Sequence, residues 1–127
     1  MNILLVEDHD DSRSTLERML SRWGHEVAAA EDVSTGLGYL KNKRFDAIVS
    51  DIALPDGTGY ELMSEARRAG VDALGIAISA YPYPPDVREP KVTGFDYHLS
   101  KPFKAGELRR VLEHQAASEE ADALVIR

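Results

Sequence analysis

Polar and charged side chains follow four short apolar segments of this chain, at the points where the segments end. Glu7 and Asp8 come directly after the first segment, and Asp51 comes after the third. Ser79 closes the fourth segment, and Lys101 follows the fifth. If these segments are neighbouring parallel strands, their carboxyl ends meet at one edge of the sheet, where ligands bind in such folds. We therefore expect three carboxylates, a hydroxyl and an ammonium group in one shallow pocket.

These residue types favour phosphoryl chemistry assisted by a divalent cation. Three carboxylates held together repel one another, and at least one pKa rises unless a cation lies between them. Carboxylate oxygens favour Mg²⁺ over Zn²⁺ here, because we expect no histidine or cysteine close to them. Asp51 can then act as the nucleophile that accepts a phosphoryl group. Mg²⁺, the Lys101 ammonium and the Ser79 hydroxyl would hold the three phosphoryl oxygens.

The surrounding sequence predicts an α/β fold in which strands alternate with helices. Several apolar or β-branched segments are apolar at successive positions, as in parallel strands that are covered on both faces. The five predicted strands are residues 2–6, 25–30, 45–50, 73–79 and 97–100. Apolar residues at helical spacing follow the first, second, third and fifth strands, within residues 16–23, 33–40, 62–69 and 108–112. The second of these stripes is the weakest, because Gly36 and Gly38 each cost about 1 kcal/mol relative to Ala in a helix interior.

Two regions do not fit this alternation. Four prolines crowd residues 82–90, and they predict a short, distorted or mobile fourth helix, because proline inside a helix removes a hydrogen bond. Residues 118–127 are acidic and then apolar, which fits an extension of the last helix or a frayed end. We therefore assign residues 1–117 to one domain and residues 118–127 to a C-terminal tail or helix extension.

The composition narrows the classes of function. The formal net charge of −7 opposes the attraction to phosphates that supplies most nucleic-acid affinity, so direct nucleic-acid binding is not expected. The absence of cysteine excludes disulfides and thiolate metal sites. The first apolar segment is too short to span a membrane and lacks the flanks of a signal peptide. We expect a cytoplasmic protein, with no membrane contact, that is a monomer or a weak dimer.

The chain resembles the receiver domain of response regulators, the phosphorylated switch of two-component systems and phosphorelays. Four fragments carry the resemblance in this order: ILLVEDHDDSR, DAIVSDIALPDGTGYEL, IAISA and GFDYHLSKPF. The resemblance covers residues 2 to about 116 and implies a flavodoxin-like three-layer sandwich. Its doubly wound sheet of five parallel strands has the order 2-1-3-4-5. The last fragment is similar to receivers found in hybrid histidine kinases.

The resemblance implies a phosphoacceptor and a Mg²⁺ site. Asp51 is the residue that a histidine kinase or a histidine phosphotransfer domain would phosphorylate. Asp8 and Asp51 would bind Mg²⁺ directly, Glu7 would bind it mainly through water, and the main-chain carbonyl of Ala53 would be a further ligand. The domain would promote its own phosphorylation and dephosphorylation without turning over an independent substrate. It is therefore expected to be a signalling switch that changes protein-protein interactions, and not an enzyme.

The resemblance also implies groups on the phosphoryl side of the site. Lys101 would contact the phosphoryl group, and the peptide bond before Pro102 is often cis in the family. Ser79 takes the place of the family's Thr or Ser. The small side chain of Ala80 would leave the pocket open.

Departures from the family pattern affect the switch and the lifetime of the phosphoryl group. The family usually has Tyr or Phe three residues before the lysine, where this chain has His98. We favour a partly buried, hydrogen-bonded histidine over a pH sensor at this position. Ala53 and Tyr81 would flank the path of the hydrolytic water, and neither offers an acid or amide to orient it. We expect slow self-dephosphorylation, and a phosphoryl half-life of seconds on radiolabelled protein would contradict this.

Other functions remain open at this point. A receiver-fold binding module that works without phosphorylation is one, because His98 and the proline-rich segment weaken the usual relay. A phosphatase with an aspartyl nucleophile is another, but it would need a second acid two residues after Asp51, where Ala53 stands. Taken alone, Glu7 and Asp8 could simply cap the first helix.

Two further patterns have plain structural interpretations. His9, His25 and His114 are scattered along the chain and lack the spacing of zinc ligands. The glycine-rich residues 57–59 lack the spacing of a nucleotide-binding motif. They predict a tight turn before the third helix.

Overall fold

The computed structural model describes residues 1–80 and 94–113 of the chain. The strands are β1 (Asn2–Val6), β2 (Glu26–Ala30), β3 (Ala47–Asp51), β4 (Ala53–Leu54), β5 (Gly57–Thr58), β6 (Leu74–Ser79) and β7 (Tyr97–Ser100). The helices are α1 (Asp10–Arg22), α2 (Val33–Asn42), α3 (Gly59–Arg68) and α4, which is described over residues 105–113. Within the described residues, helices follow β1, β2 and β7 as predicted, and α3 follows β3 after the short pair β4 and β5. The predicted helix between β6 and β7 falls outside the described residues.

The five longer strands form one sheet in the order β2-β1-β3-β6-β7, and every neighbouring pair is parallel. This is the predicted order 2-1-3-4-5, because the hairpin of β4 and β5 lies outside the sheet but takes two numbers along the chain. The doubly wound, flavodoxin-like fold is therefore confirmed. The order reverses between β1 and β3, so a crevice is expected at the carboxyl ends of these strands.

Helices cover both faces of the sheet and create two cores. Ile3 and Leu5 of β1 are buried with residues of α1 and α4, among them Leu16 and Leu108. Leu4 and Val6 of the same strand are buried on the opposite face, with residues of α2 and α3. Every residue of β3 and β6 is buried. The continuous apolar strands in the sequence thus correspond to strands that are covered on both sides.

The weak second stripe is an intact helix, α2, despite its two glycines. A Cβ atom on Gly36 would lie 3.3 Å from the side chains of Leu62 and Val6. This glycine therefore allows α2 to pack closely against α3 and the sheet. Nothing lies within 4 Å of a Cβ atom on Gly38, so no packing reason accounts for that glycine.

The tight turn lies earlier than predicted. Gly57 and Thr58 form β5, Gly59 begins α3, and the turn itself falls at Pro55 and Asp56. The two strands of this hairpin have two residues each, which is too short for any periodicity to reveal them.

Several predictions concern residues outside the described ranges. They concern the distorted helix predicted around residues 82–90, which is not α4, and also Tyr81, His114 and the tail at residues 118–127. The division between residues 1–117 and 118–127 remains a prediction. Among the described residues, no helix is long and apolar enough to cross a membrane.

Candidate functional site

Parallel pairing brings the predicted site residues to one edge of the sheet. Asp51 is the last residue of β3, and Ser79 is the last residue of β6. Glu7 and Asp8 directly follow β1, and Lys101 directly follows β7. These four strands are neighbours in the sheet and run in the same direction. Their carboxyl ends therefore lie side by side, as the sequence predicted.

Lys101 links the two most buried carboxylates. Its Nζ atom donates a hydrogen bond to Asp51 Oδ2 at 3.1 Å and another to Glu7 Oε2 at 3.2 Å. The Glu7 side chain is 0% exposed and the Asp51 side chain is 9% exposed, whereas Lys101 is 28% exposed. One ammonium group thus separates two negative charges that would otherwise repel each other.

The pKa shifts show that this compensation is incomplete. Burial raises the pKa of Glu7 above its ordinary value of 4.5, and the hydrogen bond and charge of Asp51 raise it further, against the effect of Lys101. Burial alone would lower the pKa of Lys101, but the hydrogen bonds and charges of Asp51 and Glu7 outweigh it, and that pKa is raised. Lys101 is therefore charged at neutral pH, while the site still favours a further cation.

Asp8 and His9 extend the pair of acids into a cluster of possible metal ligands. One ligand atom from each of Glu7, Asp8, His9 and Asp51 lies within 4.8 Å of the others. Asp8 Oδ1 is buried and has no hydrogen-bond partner within the described part of the chain. A buried oxygen without a donor is unfavourable unless a cation or water completes it. This oxygen and the carboxylate-rich set of donors fit a hard divalent cation such as Mg²⁺.

Arg13 of α1 holds the main chain of the acidic pair. Its Nη1 atom donates to the carbonyl oxygens of Glu7 at 3.0 Å and Asp8 at 3.3 Å. The residue that caps α1 is His9, which makes no side-chain capping hydrogen bond. The alternative that Glu7 and Asp8 serve only to cap this helix is therefore not supported.

The chain after Asp51 turns back closely on itself. The main-chain nitrogen of Ala53 donates to Asp51 Oδ1 at 3.3 Å, and that of Gly59 donates to the carbonyl oxygen of Ile52 at 2.8 Å. A Cβ atom on Gly59 would lie only 2.5 Å from the carbonyl oxygen of Asp51. Glycine is therefore required where α3 begins, and it fixes the position of the segment that carries Asp51 and Ala53.

The other predicted residues surround this cluster. Ser79 is buried at the end of β6, and Ala80 after it is exposed. The main-chain nitrogen of Lys101 donates to the carbonyl oxygen of Ser79 at 2.7 Å, which joins the ends of β6 and β7. The peptide bond between Lys101 and Pro102 is cis, as the resemblance led us to expect. Tyr81 lies outside the described residues.

His98 lies in β7, where it is half-buried and pairs in register with Ala77. Burial lowers its pKa below the ordinary value of 6.5. The imidazole is therefore neutral at neutral pH, which favours the structural interpretation of this histidine over a pH sensor. Its part in the switch remains a prediction.

Comparison with known proteins identifies the family. A family profile for the response regulator receiver domain matches residues 3–113. The chain belongs to this family. It is therefore a receiver domain of two-component systems, and the resemblance drawn from its four sequence fragments is confirmed. The family is one of signalling switches.

Relatives of this receiver domain differ widely in length. It is 36% identical to the sensor histidine kinase AruS of Pseudomonas aeruginosa, over 88% of this chain and 12% of that protein. It is 32% identical to an uncharacterized 14.6 kDa protein of Leptolyngbya boryana, over 97% of this chain and 95% of that protein. The transcriptional regulatory protein KdpE of Escherichia coli is 34% identical, over 98% of this chain and 56% of its own length. The chain thus spans from about an eighth to nearly all of these relatives.

Solved structures of receiver domains resemble this one closely. The receiver domain of a sensor histidine kinase from Pseudomonas aeruginosa, solved with a magnesium ion in its active site cleft, has a TM-score of 0.79 and 33% identity. That likeness covers 89% of this chain and 94% of the other. The chemotaxis response regulator CheY4 of Vibrio cholerae has a TM-score of 0.81 and 28% identity, over 89% and 96% of the two chains.

Two residues at the site of this receiver domain were missed in the sequence. The expectation that no histidine lies near the carboxylates is wrong, because His9 Nδ1 lies 3.1 Å from Glu7 Oε1 and 3.3 Å from Asp8 Oδ1. Sequence rules for zinc sites look for ligands at set spacings along the chain. They therefore miss Glu7, Asp8 and His9, which are consecutive and come together in the turn after β1. Arg13 was also missed, although its place one turn into α1, just after the acids, was an available signal.

Proposed function

We propose that this receiver domain is a switch in which Asp51 accepts a phosphoryl group from a histidine kinase or a histidine phosphotransfer domain. The ion-pair cluster carries the proposal, because Asp51 and Glu7 share the Lys101 ammonium at 3.1 and 3.2 Å. A carboxylate nucleophile beside a fixed cation suits phosphoryl transfer, in which positioning and charge neutralisation dominate. The similarity to a sensor histidine kinase supports the class of donor.

In the transfer, a carboxylate oxygen of Asp51 would bond to phosphorus while the phosphorus–nitrogen bond of the donor phosphohistidine breaks. The donor imidazole leaves with the electron pair of that bond. Lys101 would hold one oxygen of the transferred group, and the Ser79 hydroxyl would hold another. The small, exposed Ala80 leaves the entrance to this pocket open.

Glu7, Asp8, Asp51 and the main-chain carbonyl of Ala53 would hold Mg²⁺, with Glu7 acting mainly through water. Two observations support this assignment: the buried Asp8 Oδ1 has no hydrogen-bond partner among the described residues, and the pKa of Glu7 is raised although Lys101 lies beside it. Both indicate that the negative charge of the site is only partly neutralised. Mg²⁺ bound there supplies positive charge against the phosphoryl oxygens. A similar receiver domain from Pseudomonas aeruginosa has a magnesium ion in its active site cleft.

Phosphorylation would change the affinity of the domain for a protein partner through Ser79 and His98. Ser79 pairs in register with Ser100, two residues beyond His98 on β7. A movement of Ser79 toward the phosphoryl group would therefore act directly on the strand that carries the histidine. We expect this switch to operate in the cytoplasm, with the domain as a monomer or a weak dimer that makes no direct contact with nucleic acid or membrane.

The test is phosphorylation by a small acyl phosphate, followed by intact mass measurement with and without Mg²⁺. The wild type should gain one phosphoryl group per chain only with Mg²⁺, and Asp51→Asn should gain none. Asp72→Asn is the matched control, because Asp72 is exposed and lies outside the site, and it should behave as the wild type.

Four outcomes would contradict the proposal. Phosphorylation of Asp51→Asn, or of the wild type without Mg²⁺, would exclude the proposed acceptor or its metal. Continuous release of phosphate from a substrate other than the acyl phosphate donor would favour a hydrolase. A folded wild type that is never phosphorylated would favour a binding module that works without phosphorylation.

A further inference from the structure

We propose that His9 is a direct ligand of the metal site, so that this site binds transition-metal cations through one nitrogen as well as carboxylate oxygens. The inference rests on the proposed function, because it concerns the same site. It goes beyond that function by adding a nitrogen ligand to the site, which would change its preference among divalent cations in favour of later first-row metals such as Co²⁺.

The imidazole of His9 faces the acids. Its Nδ1 atom lies 3.1 Å from Glu7 Oε1 and 3.3 Å from Asp8 Oδ1. The main-chain nitrogen of His9 also donates to Glu7 Oε1, at 3.3 Å. The turn after β1 is therefore folded onto the Glu7 carboxylate, and this directs the ring toward both acids.

A single proton on Nδ1 does not satisfy both carboxylates. Nδ1 makes its hydrogen bond with Glu7, while the buried Asp8 Oδ1 has no hydrogen-bond partner among the described residues. A cation bound by His9 Nδ1 and Asp8 Oδ1, with Glu7 Oε1 reaching it through water, would provide a partner for all three atoms. The Asp8 side chain is 29% exposed as a whole, but its Oδ1 atom is buried and lacks a hydrogen-bond partner among the described residues, which points to a cation or water at this position.

The dimensions of the cluster fit one ion. The ligand atoms of Glu7, Asp8, His9 and Asp51 lie within 4.8 Å of one another. Ligands on opposite sides of a six-coordinate ion lie about 4.2 Å apart when each bond is about 2.1 Å. Movements of about half an ångström would therefore close the cluster. The side chain of His9 is 74% exposed, so the core does not oppose such a movement, and water can fill the remaining positions.

A nitrogen donor changes which metals the site holds well. Mg²⁺ prefers oxygen ligands, whereas imidazole suits the later first-row metals. Tighter binding of Co²⁺ than of Mg²⁺ would not by itself identify a nitrogen ligand, because sites of nitrogen and oxygen ligands generally follow that order. The discriminating quantity is how much the protein's affinity for each metal falls when the imidazole is removed.

The experiment compares wild type, His9→Gln and His25→Gln by calorimetric titration with Mg²⁺ and with Co²⁺. Only the Co²⁺ that Mg²⁺ displaces competitively is counted, so that other sites do not contribute. We expect His9→Gln to weaken Co²⁺ binding roughly tenfold or more and Mg²⁺ binding less than about twofold. His25→Gln is the matched control, because His25 lies beside the N-terminal amine and outside the cluster, and it should change neither affinity.

A spectroscopic measurement reports the bond itself. Electron spin-echo spectra of Mn²⁺ bound to the wild type should show modulation from a directly bound imidazole nitrogen. His9→Gln should bind Mn²⁺ without that modulation. Equal losses of Co²⁺ and Mg²⁺ affinity in His9→Gln, or Mn²⁺-bound wild type without the nitrogen signal, would overturn the role of His9 alone. A wild type that binds no Mg²⁺ at millimolar concentration would overturn both this inference and the proposed function.

Discussion

Asp51 and Glu7 are like charges that share one ammonium group, and their proximity opposes the stability of the metal-free fold. Glu7 is fully buried, and its pKa is raised first by burial and then by Asp51. A carboxyl group whose pKa is higher in the folded state than in the unfolded state is less stable there in its ionised form. At neutral pH the ionised Glu7 carboxylate therefore lowers the free energy of unfolding, and a bound cation would offset this loss.

Neutralising Asp51 should stabilise the metal-free domain. Asp51→Asn removes the charge that raises the pKa of Glu7 and leaves Lys101 in place. We expect the free energy of unfolding at neutral pH to rise by about 1 kcal/mol, the usual size of the effect of a single substitution. Urea denaturation with a chelator present measures it. Saturating Mg²⁺ should stabilise the wild type more than the variant and reduce the difference.

Removing the positive charge of the cluster, instead of a negative one, provides the control. Lys101→Met leaves Glu7 and Asp51 without their shared donor, and it should lower the free energy of unfolding by about 2 kcal/mol. The exposed Asp72→Asn should stay within about 0.5 kcal/mol of the wild type. If Asp51→Asn destabilised the metal-free domain, the account of repulsion within the site would be wrong.

At the scale of elements, the hairpin of β4 and β5 fastens the segment after Asp51 to α2. Asp56 at its turn accepts hydrogen bonds from the main-chain nitrogens of Val33 at 2.8 Å and Ser34 at 3.0 Å. These hydrogen bonds lower the pKa of Asp56 below its ordinary value of 3.8. The carboxylate also lies at the N-terminus of α2, where negative charge is favourable. The position of the acceptor segment therefore depends on this contact between two elements.

The contact of Asp56 should appear in the pH dependence of stability. Because the pKa of Asp56 is lower in the folded state, its contribution is present above the unfolded value near 3.8 and is lost as the pH falls through the folded value. The wild type should therefore lose more stability than Asp56→Asn as the pH decreases below about 4. Urea midpoints measured at several acidic pH values test this. Parallel curves for the two proteins would show that the hydrogen bonds contribute nothing, and Asp72→Asn controls for the loss of one negative charge.

Two glycines in helices should respond in opposite ways to alanine. Gly59→Ala introduces a Cβ atom 2.5 Å from the carbonyl oxygen of Asp51, and the resulting shift of the backbone should lower the free energy of unfolding by about 2 kcal/mol. Gly38→Ala has no atom within 4 Å of its new Cβ and should raise that free energy by about 0.5 kcal/mol. Thermal melts of both variants measure the pair of effects. Equal destabilisation by both substitutions would contradict the close approach at Gly59.

At the scale of the whole molecule, the five-stranded parallel sheet and the order of its strands could both be predicted from the sequence. The sheet was predictable because strands covered on both faces must be apolar at successive positions, as in β3 and β6. The convergence of Glu7, Asp51 and Lys101 followed from the rule that ligands bind at the carboxyl ends of parallel strands. The order of the strands came from the resemblance to receiver domains and not from the pattern of residues.

The remaining features depend on contacts that no local pattern encodes. The hairpin of β4 and β5 has strands of two residues, which is too short for any alternation to be visible. The hydrogen bond between Asp56 and Val33 joins residues that are 23 positions apart. His9 enters the site because the chain turns sharply after β1, and the direction of a side chain in such a turn is set by tertiary contacts such as that of Arg13 with the carbonyl oxygen of Glu7.

The region similar to this chain makes up 12% of one relative and 95% of another. The negatively charged pocket at Glu7, Asp8 and Asp51 is the feature on which the proposed switch depends, whatever the size of the protein that contains it. Binding of beryllofluoride, a non-covalent analogue of the phosphoryl group, reports directly on that pocket.

The decisive measurement is fluorine NMR of the domain with beryllofluoride, with and without Mg²⁺, on the wild type and on Asp51→Asn. We expect protein-bound fluoride signals only for the wild type with Mg²⁺ present, because the analogue needs both the Asp51 carboxylate and the cation. Bound signals in Asp51→Asn, bound signals without Mg²⁺, or their absence from the wild type under all conditions would contradict the assignment of Asp51 as the metal-dependent phosphoacceptor.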